Sequence, residues 1–242
     1  MRTPALAIAG LALMAAGWDD PIKVAETSSK IEVDGRPAVE VEKFAPEARG
    51  KYPVVVIVHG ASGLGDGLFR PLARRLAAHG YVALIPHYFE RTKTTIAQPG
   101  EMQVKFRDWA AVLVETTDLA ARMDDVDPAR VGFMGFSLGA YLSLSTAASE
   151  PRIRVVVEYF GGFPKALYPK ADKLPPILIL HGDQDKVVAV SEAKALESLL
   201  KEKKVEHEVH IYKGAGHGFS GADAQDSGRR ATAFLDAKLK AK

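Results

Sequence analysis

The stretch GFMGFSLGAYLS, Gly132–Ser143, decides how the rest of the chain is read. It sets a small polar residue, Ser137, between Gly135 and Gly139, with apolar runs on either side. A packed interior has no use for a lone hydroxyl, and a solvated loop would not be flanked by so many apolar side chains. Gly135-Phe136-Ser137-Leu138-Gly139 has the form G-x-S-x-G. The residues ARVGFMG before the serine have the apolar density of a buried strand, and Leu138 to Ala148 reads as a helix. In that setting the pattern has a mechanical meaning. A tight strand-to-helix turn, with no room for side chains at its flanks, lifts the hydroxyl clear of the sheet and places it at a helix N-terminus. Taken alone, Ser137 could equally cap the helix.

Outward from this stretch, strands and helices alternate. Ile31–Val33 and Ala38–Glu42 read as short strands joined by a turn at Asp34-Gly35. YPVVVIVHG, ending at Gly60, is a continuous β-branched run of the kind buried on both faces. Leu68 to His79 has helical spacing and is closed by Gly80. YVALIP follows as a strand, and Glu101 to Met123 as a long helix with apolar positions at Val104, Trp109, Val112, Leu113, Leu119 and Met123. Beyond the serine, IRVVVEYF, PPILILHG and HEVHIY read as strands, with helices at Ser191–Lys201 and Arg229–Leu239. This alternation predicts an α/β architecture, a mostly parallel central sheet with helices on both faces. In such sheets ligands bind outside the carboxyl ends of the strands.

Residues with chemical potential cluster at those ends. A serine hydroxyl needs a base, and the base needs an orienting acid. GAGHGF supplies His217 after one predicted strand, and HGDQDKVV supplies Asp183 and Asp185 after another. Asp183 directly follows His181-Gly182 and is read as binding backbone amides of the turn. Asp185 lies further out and is the candidate acid. The chain order Ser137, Asp185, His217 is that of α/β-hydrolases. Backbone amides of Leu138 and Ala61 are the candidate oxyanion donors. The glycine-rich HGASGLGDG lacks the G-K-[ST] of a phosphate loop. His181 is assigned a structural role at a strand end, and His79 and His207 surface or helix-end positions.

With these residues in hand, the chain resembles the dienelactone hydrolase family of the α/β-hydrolase superfamily. The resemblance rests on PVVVIVHGASGL, LARRLAAHGYVALIPHYFER, VGFMGFSLGAYLS, EYFGGFP, ILILHGDQDKVV and HEVHIYKGAGHGF, from Tyr52 to the C-terminus. It implies the α/β-hydrolase fold, a triad at Ser137, Asp185 and His217, and oxyanion donors at Ala61 and Leu138. Three positions depart from the family pattern. The nucleophile is serine where dienelactone hydrolases proper use cysteine. Gly60 stands where they carry a glutamate. Of two substrate-carboxylate arginines only Arg91 has a counterpart, the second position being Gly221. Arg91 therefore either favours an acidic substrate or pairs with Glu90 or another acid. Phe136, Tyr159, Phe163, Tyr168 and Phe219 are candidates to line an apolar acyl pocket, and His87 and Tyr88 lie at the same edge.

Bulk properties narrow the alternatives. Of 242 residues, 47% are hydrophobic and 26% charged, with a net charge of +2, which suits a globular protein. No dense basic run with interleaved aromatics is present, which argues against a nucleic-acid partner. KEKK at Lys201–Lys204 reads as a solvated helix C-terminus. The absence of cysteine excludes disulfides, thiolate zinc sites, a cysteine nucleophile and a lipid-modified cysteine. The N-terminus, MRTPALAIAGLALMAAGWDDP, joins Arg2, an apolar run from Ala5 to Ala16 and small residues at Ala15 and Gly17. It reads as a cleaved secretory leader over residues 1–17, followed by a single α/β-hydrolase domain over 18–242. The run is short for a membrane span, so export to periplasm or medium without stable membrane insertion is expected. An uncleaved anchor, or a first helix of a cytoplasmic domain, is the alternative. The expectation is a serine hydrolase that cleaves a small-molecule ester or lactone without metal or cofactor. A peptidase on the same fold and a non-catalytic binding protein with a retained hydrolase shell are the competing readings.

Overall fold

A computed structural model describes residues 22–65 and 67–240, so the expected leader lies outside the described residues. An eight-stranded sheet runs through it in the order β1-β2-β4-β3-β5-β6-β7-β8. The strands are β1 (Val24–Ile31), β2 (Val39–Pro46), β3 (Tyr52–Val58), β4 (Val82–Pro86), β5 (Val126–Phe136), β6 (Ile153–Tyr159), β7 (Ile177–Gly182) and β8 (His207–Tyr212). From β4 to β8 every pairing is parallel, whereas β1–β2 and β2–β4 are antiparallel. The sheet is thus mixed but mostly parallel. Of the two expected front strands, Ala38–Glu42 falls on β2, which runs on to Pro46, but Ile31–Val33 meets β1 only at Ile31; β1 is an exposed edge with little apolar periodicity, so the polar residues before Ile31 gave no signal.

Five helices cover the two faces: α1 (Phe69–Ala78), α2 (Pro99–Ala121), α3 (Leu138–Ala147), α4 (Val190–Lys203) and α5 (Gly221–Leu239). Alternation along β3 sends Val54, Val56 and Val58 into one core, with Trp109 and Leu113 of α2, Leu142 of α3 and Leu196 of α4. Val55 and Ile57 enter the opposite core, with Leu72 and Leu76 of α1 and Phe234 and Leu235 of α5. Burial on both faces explains why these strands read as unbroken apolar runs.

Helix ends follow local chemistry. Gly80, at φ +86°, lets its own N–H reach Ala77 O and the N–H of Tyr81 reach Leu76 O, which closes α1 in a Schellman motif. Pro99 begins α2 and the Glu101 carboxylate accepts the N–H of Gln98, so the helix starts before the apolar periodicity does. Val104, expected on the apolar face of that helix, is instead 80% exposed. No helix among the described residues is long and apolar enough to cross a membrane.

Candidate active site

Ser137 joins the C-terminal end of the central strand β5 to α3. Its backbone sits at φ 54°, ψ −117°, a conformation that L residues rarely adopt and that neighbouring structure must hold in place. The glycines make this possible. A side chain at Gly135 would meet the Gly139 carbonyl and, at 2.6 Å, Ser143 Oγ; one at Gly139 would collide with the Val58 and His59 carbonyls. The N–H of Ser137 is held by Tyr159 O at 2.9 Å. Leu138, which opens α3, contributes an N–H of the first turn, where intrahelical acceptors are lacking.

The other two predicted residues arrive from the loops after β7 and β8. His217 Nε2 lies 2.9 Å from Ser137 Oγ, and its Nδ1 lies 2.8 Å from Asp185 Oδ2. Asp185 Oδ1 accepts the N–H groups of Val187 at 2.8 Å and Val188 at 2.9 Å, so both carboxylate oxygens are committed. The two loops are tied together. Gln184 N–H bonds Ala215 O at 2.9 Å, and Asp183 Oδ1 accepts the Gly214 N–H at 2.7 Å. Asp183 thus serves a backbone amide, though one on the neighbouring loop. His181 is buried and its Nε2–H donates to Val188 O at 2.9 Å. Burial lowers its pKa, so a neutral ring stands behind Asp185.

The loop after β3 closes the other side. A Cβ at Gly60 would stand 3.4 Å from Ser137 Cβ, so this loop abuts the serine. The Gly60 carbonyl is held by His59 Nδ1–H at 2.8 Å and by Gly63 N–H at 3.1 Å. In a planar trans peptide the Ala61 N–H points the opposite way. His59 is stacked on Tyr88 at 4.1 Å, and burial drives its pKa down to about 3, so it is a neutral support for this turn.

Other expected contacts are corrected by the packing. Arg91, on a 3₁₀ segment (Tyr88–Thr92), is a buried residue whose guanidinium faces Glu115 of α2, Nη2 to Oε2 at 2.6 Å and Nη1 to Oε1 at 3.2 Å. It is engaged by an acid of the scaffold, neither at the surface nor with Glu90. Phe136, Tyr159 and Phe219 do not line an open acyl pocket; they pack in the core against α1 and α5. Phe136 stacks on Tyr159 at 4.6 Å, and the Tyr159 hydroxyl donates to Ser227 O. Phe163 is buried in the opposite core, with Tyr168 partly buried beside it. His87 Nε2 turns to Glu42 at 2.6 Å, and Tyr88 is fully buried with its hydroxyl on His59 O.

Two residues near Ser137 and His217 escaped sequence reasoning. Phe160, at φ 42°, sets its ring edge-on to His217 with centroids 4.8 Å apart. Glu158, fully buried on β6, accepts the Gly161 N–H at 2.8 Å through one oxygen. A single acid inside the apolar run IRVVVEYF was the available signal for the second.

Comparison with known proteins follows the same lines. Residues 39–241 match the sequence profile of the dienelactone hydrolase family. A relative from Escherichia coli, provisionally named carboxymethylenebutenolidase, is 27% identical over 239 residues, covering 89% of this chain and 84% of that protein. The crystal structure of a provisionally named dienelactone hydrolase from Klebsiella pneumoniae superposes with a TM-score of 0.76 at 22% identity, over 89% of this chain and 99% of that one. A provisionally named dipeptidyl aminopeptidase from Bacteroides ovatus gives a TM-score of 0.76 at 17% identity, over 92% of this chain but 37% of that one. These structural likenesses establish an α/β-hydrolase fold.

Proposed function

Because the chain belongs to the dienelactone hydrolase family and is a hydrolase of ester bonds, we propose that it cleaves a small carboxylic ester or lactone through Ser137, His217 and Asp185. The observation that carries this reading is the unbroken hydrogen-bond line Ser137 Oγ, His217 Nε2, His217 Nδ1, Asp185 Oδ2, at 2.9 and 2.8 Å. In the proposed reaction His217 takes the hydroxyl proton as Ser137 attacks the carbonyl carbon. Asp185 holds Nδ1–H and so keeps Nε2 free as the base, then supports the imidazolium that forms. The amides of Leu138 and Ala61 receive the oxyanion. His217 returns the proton to the leaving alcohol, and water cleaves the acyl-enzyme with His217 as base again. For a lactone, the alcohol freed by ring opening stays tethered to the acyl group, and the second step releases both together as one hydroxy acid.

The peptidase reading draws on a likeness at 17% identity, which speaks to fold alone. Arg91 has no place in the proposed substrate contacts, since Glu115 occupies its guanidinium. Hydrolysis of p-nitrophenyl esters from acetate to octanoate tests the reading. Ser137→Ala is expected to lose at least about a thousandfold in kcat with an unchanged fold. Wild-type turnover in that variant, or failure of the native protein to react with a fluorophosphonate, would overturn it. Export is a separate proposal, for which a mature N-terminus near Trp18 is the expected sequencing result.

A further inference from the structure

The segment Glu158–Gly161 touches the triad region at three points. The Tyr159 carbonyl holds the Ser137 N–H at 2.9 Å. The Phe160 ring packs on His217 with centroids 4.8 Å apart. A Cβ at Gly161 would stand 3.1 Å from the Ser137 carbonyl oxygen. The backbone here is strained, with Phe160 at φ 42°. Such a turn persists only where something over-determines it. The side chain of Glu158 does so, its Oε2 accepting the Gly161 N–H at 2.8 Å across the turn.

Resting on the reading above, we propose that Glu158 is a positioning residue, its protonated carboxyl closing the strained turn that seats both Ser137 and His217. The side chain is completely buried, and Oε1 has no hydrogen-bond partner. An anion there would rest on a single amide. Burial accordingly pushes the pKa up to about 8, against the Gly161 bond, which lowers it. The surrounding groups do not stabilise a negative charge. Tyr141 of α3 interacts with Glu158, with Glu192 of α4 and with Tyr168 of the 3₁₀ segment Lys165–Lys173, and is held protonated by its own burial. Ionisation of Glu158 must therefore draw water to the carboxylate or release the turn, and either shifts the Tyr159 carbonyl and the Phe160 ring away from the residues they hold.

The test is the pH profile of kcat and KM for p-nitrophenyl acetate between pH 6 and 10 in wild type, Glu158→Gln and Glu158→Ala, with melting temperatures measured in parallel. Wild-type kcat is expected to fall above pH 8, to about a tenth by pH 9 for a single ionisation. Glu158→Gln keeps the acceptor without the charge, so its kcat should lie within about threefold of wild type and stay level through that range. Glu158→Ala should lower kcat roughly 10- to 100-fold with little change in KM. An alkaline limb unchanged in Glu158→Gln, or wild-type kcat in Glu158→Ala, overturns the role of Glu158 while turnover still depends on Ser137. Turnover that survives Ser137→Ala overturns this proposal and the reading beneath it together.

Discussion

His217 stands between a hydroxyl at 2.9 Å and a carboxylate at 2.8 Å, and Asp185 gives its other oxygen to two backbone amides. That arrangement makes Asp185→Asn a sharp probe. The amide oxygen can still accept from Val187 and Val188, but the NH2 group then faces His217 Nδ1 and favours the tautomer with the proton on Nε2. Single-turnover and steady-state assays should show kcat reduced about 10³- to 10⁴-fold with the melting temperature little changed. The proximity of these three residues was legible because each follows a predicted strand, Ser137 and His217 between glycines and Asp185 further out on its loop. The substrate-contact residues were not legible. Aromatic side chains such as Phe136 and Tyr159 serve a core and a pocket equally well, and only side-chain direction separates the two. Of the two readings of Arg91, pairing with an acid other than Glu90 holds, but nothing local named Glu115, which lies 24 residues on in α2.

At the scale of elements, the Arg91–Glu115 pair fastens the 3₁₀ segment after β4 to α2. The Arg91 side chain is only 2% exposed, so removing its partner strands a buried guanidinium. Glu115→Ala is expected to cost about 3–5 kcal/mol in urea unfolding, whereas replacing both residues by apolar ones should recover much of that loss. Trp109→Ala, in the same helix, should cost a similar 3–5 kcal/mol, because the indole is fully buried and its N–H donates to Thr92 Oγ1 at 2.8 Å. Elements with strong apolar periodicity were read within a few residues of their ends. The start of α5 was missed by eight residues, at Gly221 rather than Arg229. Its first turns are polar and are held by tertiary bonds, among them Tyr212 Oη to Asp226 at 3.0 Å, which periodicity does not encode. The 3₁₀ segments were missed because they are short and rich in polar residues.

For the molecule as a whole, two buried groups tilt stability in opposite directions with pH. His59 stays neutral in the fold down to about pH 3, while the unfolded chain takes up its proton near 6.5, so its contribution is full above pH 6.5 and lost as pH falls. Glu158 keeps its proton in the fold to about pH 8 against 4.5 for the ordinary carboxyl, so its contribution is full below 4.5 and lost as pH rises. Urea midpoints between pH 4 and 9 should show wild type losing stability relative to Glu158→Gln as pH rises from 4.5 to about 8, with a slope of at most about 1.4 kcal/mol per pH unit. Parallel profiles would contradict the assignment. Architecture was legible at this scale because strands buried on both faces announce themselves as unbroken apolar runs; strand order was not, since no local signal says that β2 lies beside β4. The sheet order also bears on how the protein ages when warmed. Ser137 leaves the middle of the sheet, but His217 hangs from β8, which pairs with β7 alone among the described strands and buries only Tyr212 fully. Such a margin opens at lower free energy than the centre. Heating should therefore silence the enzyme, reversibly, before the bulk of the fold melts, and loss of turnover becomes a thermometer for one margin of the sheet.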